Sequence, residues 1–109
     1  MKHRPERVGK LLREELSMII AREFYFEHAL ATVTEIEVDK KLRTANAKIS
    51  VLPEQQGKNV LVVLNRSRNQ IQRTLFKKIN IRPMPQIRFE YNPGLEKAAN
   101  VEKILLEDE

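Results

Sequence analysis

Apolar residues recur at three- and four-residue spacing along the first quarter of the chain: Val8, Leu11, Leu12, Leu16, Ile19, Ile20 and Phe24. That period predicts one amphipathic helix of about five to six turns. Pro5 suits its first turn, where a missing N–H costs nothing. Arg7, Lys10, Arg13, Glu14 and Arg22 occupy the other side, so the helix should pack by one face. The period then changes to two. Across 31–39, Thr32, Thr34, Ile36 and Val38 fall on one face and Glu35 and Glu37 on the other, with Val33 out of phase. Across 44–51, Ala45, Ala47, Ile49 and Val51 alternate with Thr44, Asn46, Lys48 and Ser50. Both stretches predict half-buried strands with one wet face. The link Asp39-Lys40-Lys41-Leu42-Arg43 is short enough for a hairpin, and a polar loop over 53–57 closes the second strand.

The segment 58–79 is helical in pattern and unusual in its middle. Val60, Leu61 and Leu64 form one apolar stripe and Ile71, Leu75 and Ile79 another, separated by Asn65-Arg66-Ser67-Arg68-Asn69-Gln70. Stepping along the helical period from Leu64 to Ile71 lands on Ser67 or Arg68. Two helices meeting at a tight kink need a small side chain there, followed by a residue that tolerates positive φ. Ser67 and Asn69 have those properties. The kink is therefore expected at Ser67, Arg68 and Asn69; a plain exposed loop is the alternative. Pro83 and Pro85 stop the second helix. Ile87, Phe89 and Tyr91 then alternate with Gln86, Arg88 and Glu90 as a third strand, and Asn92-Pro93-Gly94 is a turn. Ala98, Val101, Ile104 and Leu105 suggest a short C-terminal helix in an acidic tail.

The expected architecture is α+β, in the order helix, strand, strand, helix, kink, helix, strand. Each strand has one apolar face, so the helices should cover one side of a three-stranded sheet. A last strand returning after the helix pair should cross over right-handed if it runs parallel to its neighbour. At 109 residues the chain is one domain on size. Its body should span residues 1–95 and its acidic tail residues 96–109.

Charge sharpens this picture. The formal net charge is +5, and it is unevenly spread. Lys2, Arg4, Arg7, Lys10 and Arg13 crowd the start, opposed only by Glu6. Arg66, Arg68, Arg73, Lys77, Lys78, Arg82 and Arg88 follow one another with no acid among them. From Glu90 onward the sign reverses. Segregation of this kind attracts polyanions to one region and repels them from another. Cysteine is absent, which removes disulfides, thiolate metal sites and a cysteine nucleophile, and fits a reducing cytoplasm. The N-terminus does not resemble a signal peptide, and no apolar run approaches the ~20 residues that span a bilayer.

The residues offer no catalytic constellation. His3 and His28 stand alone, without a second ligand at metal spacing. Ser17, Ser50 and Ser67 lack a nucleophile-elbow context. Gly9, Gly57 and Gly94 are too far apart for a phosphate-cradling loop. Glu35 and Glu37 could mimic a catalytic pair, but cross-strand pairing with cations such as Lys48 is the expected fate. No enzyme activity, metal, cofactor or small-molecule substrate is expected. Of the aromatics, Phe24 and Phe89 fall on buried faces and most rings are expected in the core, with Tyr25 and Phe26 the exceptions. Any such exposed ring could stack bases.

Three stretches then stand out together: Arg4-Pro5-Glu6-Arg7-Val8; Ala45-Asn46-Ala47-Lys48-Ile49-Ser50-Val51-Leu52; and Ile71-Gln72-Arg73-Thr74-Leu75 followed by the run 81–89. Their order and spacing, from about Arg4 to Leu95, resemble the bacterial ribosome-binding factor A family, and the element order resembles a type II K-homology (KH) domain. The resemblance implies a non-enzymatic cytoplasmic factor that binds the immature small (30S) ribosomal subunit. It also implies help for 16S rRNA in reaching its mature fold and 5′ end, most needed in the cold. The family carries an Ala-x-Gly helix kink; the matching triplet here, Ser67-Arg68-Asn69, differs at both outer positions. The 26–28 stretch also departs from the Asp-Pro-Arg of many relatives. The resemblance supplies the partner and the charge supplies the contact. Arg66, Arg68, Arg73, Lys77, Lys78 and Arg82, with Arg4, Arg7 and Lys10, are expected to meet rRNA phosphates. The free protein should be a monomer with no membrane association. The alternative is an adaptor docking an acidic protein on the same patch.

Overall fold

A computed structural model describes residues 4–92. The expected tail helix over 98–105 and the boundary at 95/96 lie outside the described residues. The elements run α1 (Arg4–Glu23), β1 (Leu30–Val38), β2 (Thr44–Leu52), a short 3-10 turn (Glu54–Gln56), α2 (Gly57–Arg66), α3 (Arg68–Lys78) and β3 (Gln86–Tyr91). The architecture is the expected α+β arrangement, a three-stranded sheet ordered β1-β2-β3.

The central strand is β2. It pairs antiparallel with β1, from Leu30↔Leu52 to Val38↔Ala45, through a tight hairpin. It pairs parallel with β3, from Thr44↔Gln86 to Ile49↔Tyr91. A parallel neighbour needs a long crossover, and α2 with α3 provide it. Ala45, Ala47, Ile49 and Val51 of β2 face the core together with Val33 of β1 and Ile87 and Phe89 of β3. Val8, Leu12, Leu16, Ile19 and Ile20 of α1, Val60 and Leu64 of α2, and Ile71 and Leu75 of α3 cover this face. At roughly 25 cal/mol per Å² of apolar surface removed from water, that layer is the main source of stability. Leu11, counted in the α1 stripe by spacing, lies at its exposed margin.

The out-of-phase Val33 has a structural cause. The β1–β2 register runs Val33↔Ile49 and then Glu35↔Lys48, which leaves Thr34 as an extra residue. This β-bulge resets the alternation: Val33 points into the core before it, and Ile36 and Val38 are half-buried after it. Thr32, expected on the inner face, is therefore exposed. The bulge is tied down by its own residue. Thr34 Oγ1 donates to the Lys48 carbonyl at 3.2 Å and accepts from Asn92 Nδ2 at 2.7 Å.

Two further contacts fix the frame. The first residue of α2, Gly57, abuts the Tyr91 ring so closely that a Cβ would lie 2.7 Å from its Cε2. In the β1–β2 hairpin, Leu42 is buried in a left-handed conformation, φ 58°. There the Leu42 N–H donates to the Asp39 carbonyl at 2.9 Å.

Candidate nucleic-acid interface

The α2–α3 junction is a single residue. Ser67 adopts φ −93°, ψ 6°, in the bridge region open to ordinary L-residues. Its N–H is shared between the Val63 and Leu64 carbonyls at 3.1 and 3.2 Å, and its own carbonyl accepts from Ile71 at 2.9 Å. The helical ladder thus resumes at once. The expectation of positive φ at Asn69 is not met: Asn69 lies within α3, and the non-glycine residues with positive φ among the described residues are His28 and Leu42. One bridge-region residue turns the chain, so no glycine-like conformer is needed.

Arg66 ends α2 and Arg68 begins α3, on either side of Ser67. Arg68 falls in line with Ile71 and Leu75 and is half-buried; Arg66 is exposed. Arg73 and Lys77, four residues apart, lie on the outward side of α3, with Lys78 in the same last turn. From Arg68 to Lys78 the helix carries these cations over about 15 Å. The helix is held against the sheet by Gln72, whose Nε2 donates to the Pro85 carbonyl at 2.8 Å. Its Oε1 accepts from the Ile87 N–H, also at 2.8 Å.

The N-terminal cations join at the far end. Arg4 Nη2 donates to the Arg82 carbonyl at 3.0 Å, which brings the start of α1 to the loop after α3. A hollow there is lined by Phe76, Lys77, Lys78, Ile79, Asn80, Ile81 and Arg82. Arg7 and Lys10 are exposed further along α1. Arg88 departs from this arrangement. It sits on β3 opposite Asn46, on the open face of the sheet, because β alternation turns it away from its buried neighbours Ile87 and Phe89.

Charge separates by face. The open face of the sheet holds Glu35, Glu37 and Glu90 around Lys48 and Arg88. The expected cross-strand pair forms: Lys48 Nζ lies 3.1 Å from Glu37 Oε1. Hydrogen bonding and attraction from Glu37, supported by Glu35 and Glu90, raise the Lys48 pKa above its ordinary value. Arg43 is likewise paired with Asp39 at 3.2 Å. By contrast Arg66, Arg68, Arg73, Lys77 and Lys78 meet no carboxylate among the described residues. Lys77 and Lys78 suit a helix C-terminus, but α3 opens on Arg68 with no acid in its first turn. The N-terminal dipole of α3 disfavours a cation there by about 0.3–1 kcal/mol, while the C-terminal dipole of α2, which ends at Arg66, favours it.

Two aromatic expectations change. Phe26 is half-buried, stacked on Phe24 with ring centroids 6.1 Å apart, and both pack against the core. Tyr25 is 88% exposed, and Phe76 is 56% exposed. Phe76 could have been found from the period: the α3 stripe runs through Ile71, Leu75 and Ile79, and Phe76 lies about 100° away from Leu75. His28 is an exposed turn residue beside Glu27 at 3.5 Å. No cluster of metal-ligating side chains occurs among the described residues, and none of their helices is long and apolar enough to cross a membrane.

An antiparallel hairpin, a helix pair joined at one residue and a parallel last strand, with a run of cations along the helix pair, define a type II KH-like module. The family model described as ribosome-binding factor A matches residues 4–105, and the chain belongs to that family. A relative from Desulfitobacterium hafniense, described as ribosome-binding factor A, is 32% identical over 106 residues, covering 95% of this chain and 85% of its own length. The crystal structure of ribosome-binding factor A from Thermus thermophilus has the same fold. Its TM-score is 0.70 at 17% identity, covering 80% of this chain and 93% of that one. A Thermus thermophilus homology model, fitted into a cryo-EM map of a 30S complex with the factor, is similar too. Its TM-score is 0.66 at 19% identity, covering 75% of this chain and 88% of that one.

Proposed function

We propose that this protein is an assembly factor that binds the immature small ribosomal subunit through phosphate contacts from its helical face. The observation that carries this is the run of cations along α3 and at its junction with α2 that meet no carboxylate among the described residues, on a chain of the ribosome-binding factor A family. The similar Thermus factor fitted into a 30S complex supports the choice of partner. Arg66, Arg68, Arg73, Lys77, Lys78 and Arg82 meet rRNA phosphates, and Arg4, Arg7 and Lys10 extend the surface along α1. Such contacts position the protein without reading sequence; specificity comes from the shape of the rRNA around them. Bound in this way, a monomer in the cytoplasm holds 16S rRNA in a form that proceeds to its mature fold and 5′ end, most usefully in the cold.

The test is co-sedimentation with precursor subunits. The double variant Arg73→Glu, Lys77→Glu should fold normally, since both side chains are exposed, and should lose association. Unchanged association would remove the site from α3. Partners that survive nuclease digestion of a pull-down would instead favour an acidic protein on the same patch.

A further inference from the structure

Phe76 is a large ring set among cations on the outward flank of α3, and neither the core nor the phosphate contacts use it. With Lys77 it lines two hollows. One is the hollow leading to Arg82; the other, of about 420 Å³, is formed with Gln72, Arg73 and Met84. That volume lies in the lower part of the ~300–1,000 Å³ typical of small-ligand sites. The Gln72 amide is committed to Pro85 and Ile87, so the floor of the second hollow is fixed by the fold. Met84 is half-buried and gives that floor a polarizable apolar surface. Arg73 and Lys77 line this hollow beside the ring, and no acid lines either hollow.

We infer that Phe76 is a stacking platform for one unpaired base of single-stranded RNA, whose flanking phosphates are held by Arg73 and Lys77. Every base has a π-face, so stacking on a ring accepts any sequence. Burial of the exposed ring under a base would favour binding without changing the number of ion contacts. The acid-free lining selects a polyanion over an acidic or neutral peptide as occupant only in combination with the ring: phosphate and base are offered together by single-stranded RNA. This rests on the rRNA-binding reading above and adds a contact that charge alone does not require.

The probe is a single-stranded RNA oligonucleotide carrying one 2-aminopurine, titrated with the full chain and followed by fluorescence and by affinity at several salt concentrations. The wild type should quench the base. Phe76→Ala and Phe76→Leu should both bind about 5- to 150-fold more weakly, with loss of quenching and an unchanged salt slope; Phe76→Tyr should behave as wild type. Equal affinity and quenching for Phe76→Leu would overturn stacking, while a normal salt slope would leave the phosphate contacts standing. No binding by the wild type, to the oligonucleotide or to precursor subunits, would overturn both. If Phe76→Leu weakens association with the intact precursor subunit but not with the oligonucleotide or protein-free rRNA, the ring docks on a ribosomal protein and the inference fails. Melting curves of the three variants serve as the folding control.

Discussion

Gln72 joins the basic helix to the sheet through two hydrogen bonds of 2.8 Å, one donated to Pro85 and one accepted from Ile87. Gln72→Ala removes both and strands a donor on Ile87, a fully buried residue, and an acceptor on buried Pro85. Each orphaned group costs about 1–3 kcal/mol; some water reaches these part-buried bonds, so the expected loss is about 2–4 kcal/mol. For a domain of this size that lowers Tm by about 10–30 °C. Gln72→Glu separates the two bonds. Its carboxylate still accepts from Ile87 but opposes the Pro85 carbonyl, which it cannot serve until protonated. The introduced carboxyl therefore has a higher pKa folded than unfolded, the folded state binds more protons, and stability rises as pH falls through that value. Circular-dichroism melts and urea titrations at pH 7 and near pH 4.5, each referred to wild type, measure both effects. An alanine variant within about 0.5 kcal/mol of wild type, a range ordinary for a surface substitution, would refute the clamp. So would a glutamate variant whose deficit is the same at both pH values.

Leu42 combines burial with φ 58°, so Leu42→Gly should be less destabilising than Leu42→Ala by about 1 kcal/mol. Only glycine relieves the left-handed strain, and urea unfolding of the pair checks the order. Desolvation acts to raise the pKa of Asp39, but hydrogen bonds from the Lys41 and Arg43 backbones and from the Arg43 guanidinium outweigh it and hold it below 3.8. Its stabilising contribution is therefore complete above that value and lost as pH falls through the folded pKa. An NMR titration should show the Asp39 midpoint rising in Arg43→Ala. Lys48 has the opposite sign: its contribution is present below 10.5 and lost as pH rises through the folded value. Glu37→Gln should lower its midpoint.

Much of this fold was legible because each element has one apolar face. The three-to-four spacing of α1 and the alternation of β2 and β3 survive into the structure with boundaries nearly unchanged. What escaped depends on single residues whose geometry is set by partners distant in sequence. Val33 broke the alternation, but only pairing with β2 shows a bulge at Thr34. Nothing local marks Leu42 for a left-handed conformation; its burial against the core holds it there. The break between α2 and α3 was visible in the polar run 65–70, whereas its mechanics at Ser67, and not Asn69, needed backbone angles. The acid-free stretch ending at Arg88 was contiguous only in sequence, because β alternation sends Arg88 to the other side of the sheet. Phe76 is exposed because it lies off the stripe of Ile71 and Leu75, which its residue type alone does not reveal. Which cations meet a carboxylate is a matter of the folded arrangement, since Lys48 and Arg43 look no different from Arg73 in the chain.

The central claim is that cations of the helical face hold rRNA by its phosphates. Affinity for precursor small subunits measured across a range of salt concentrations tests it most directly. With about five phosphates contacted at ~0.7 counterions each, log K should fall against log salt with a slope near −3.5. The double variant Arg73→Ala, Lys77→Ala should make the slope shallower by about 1.4. A wild-type slope near zero, or a slope that these two substitutions leave unchanged, would contradict the account.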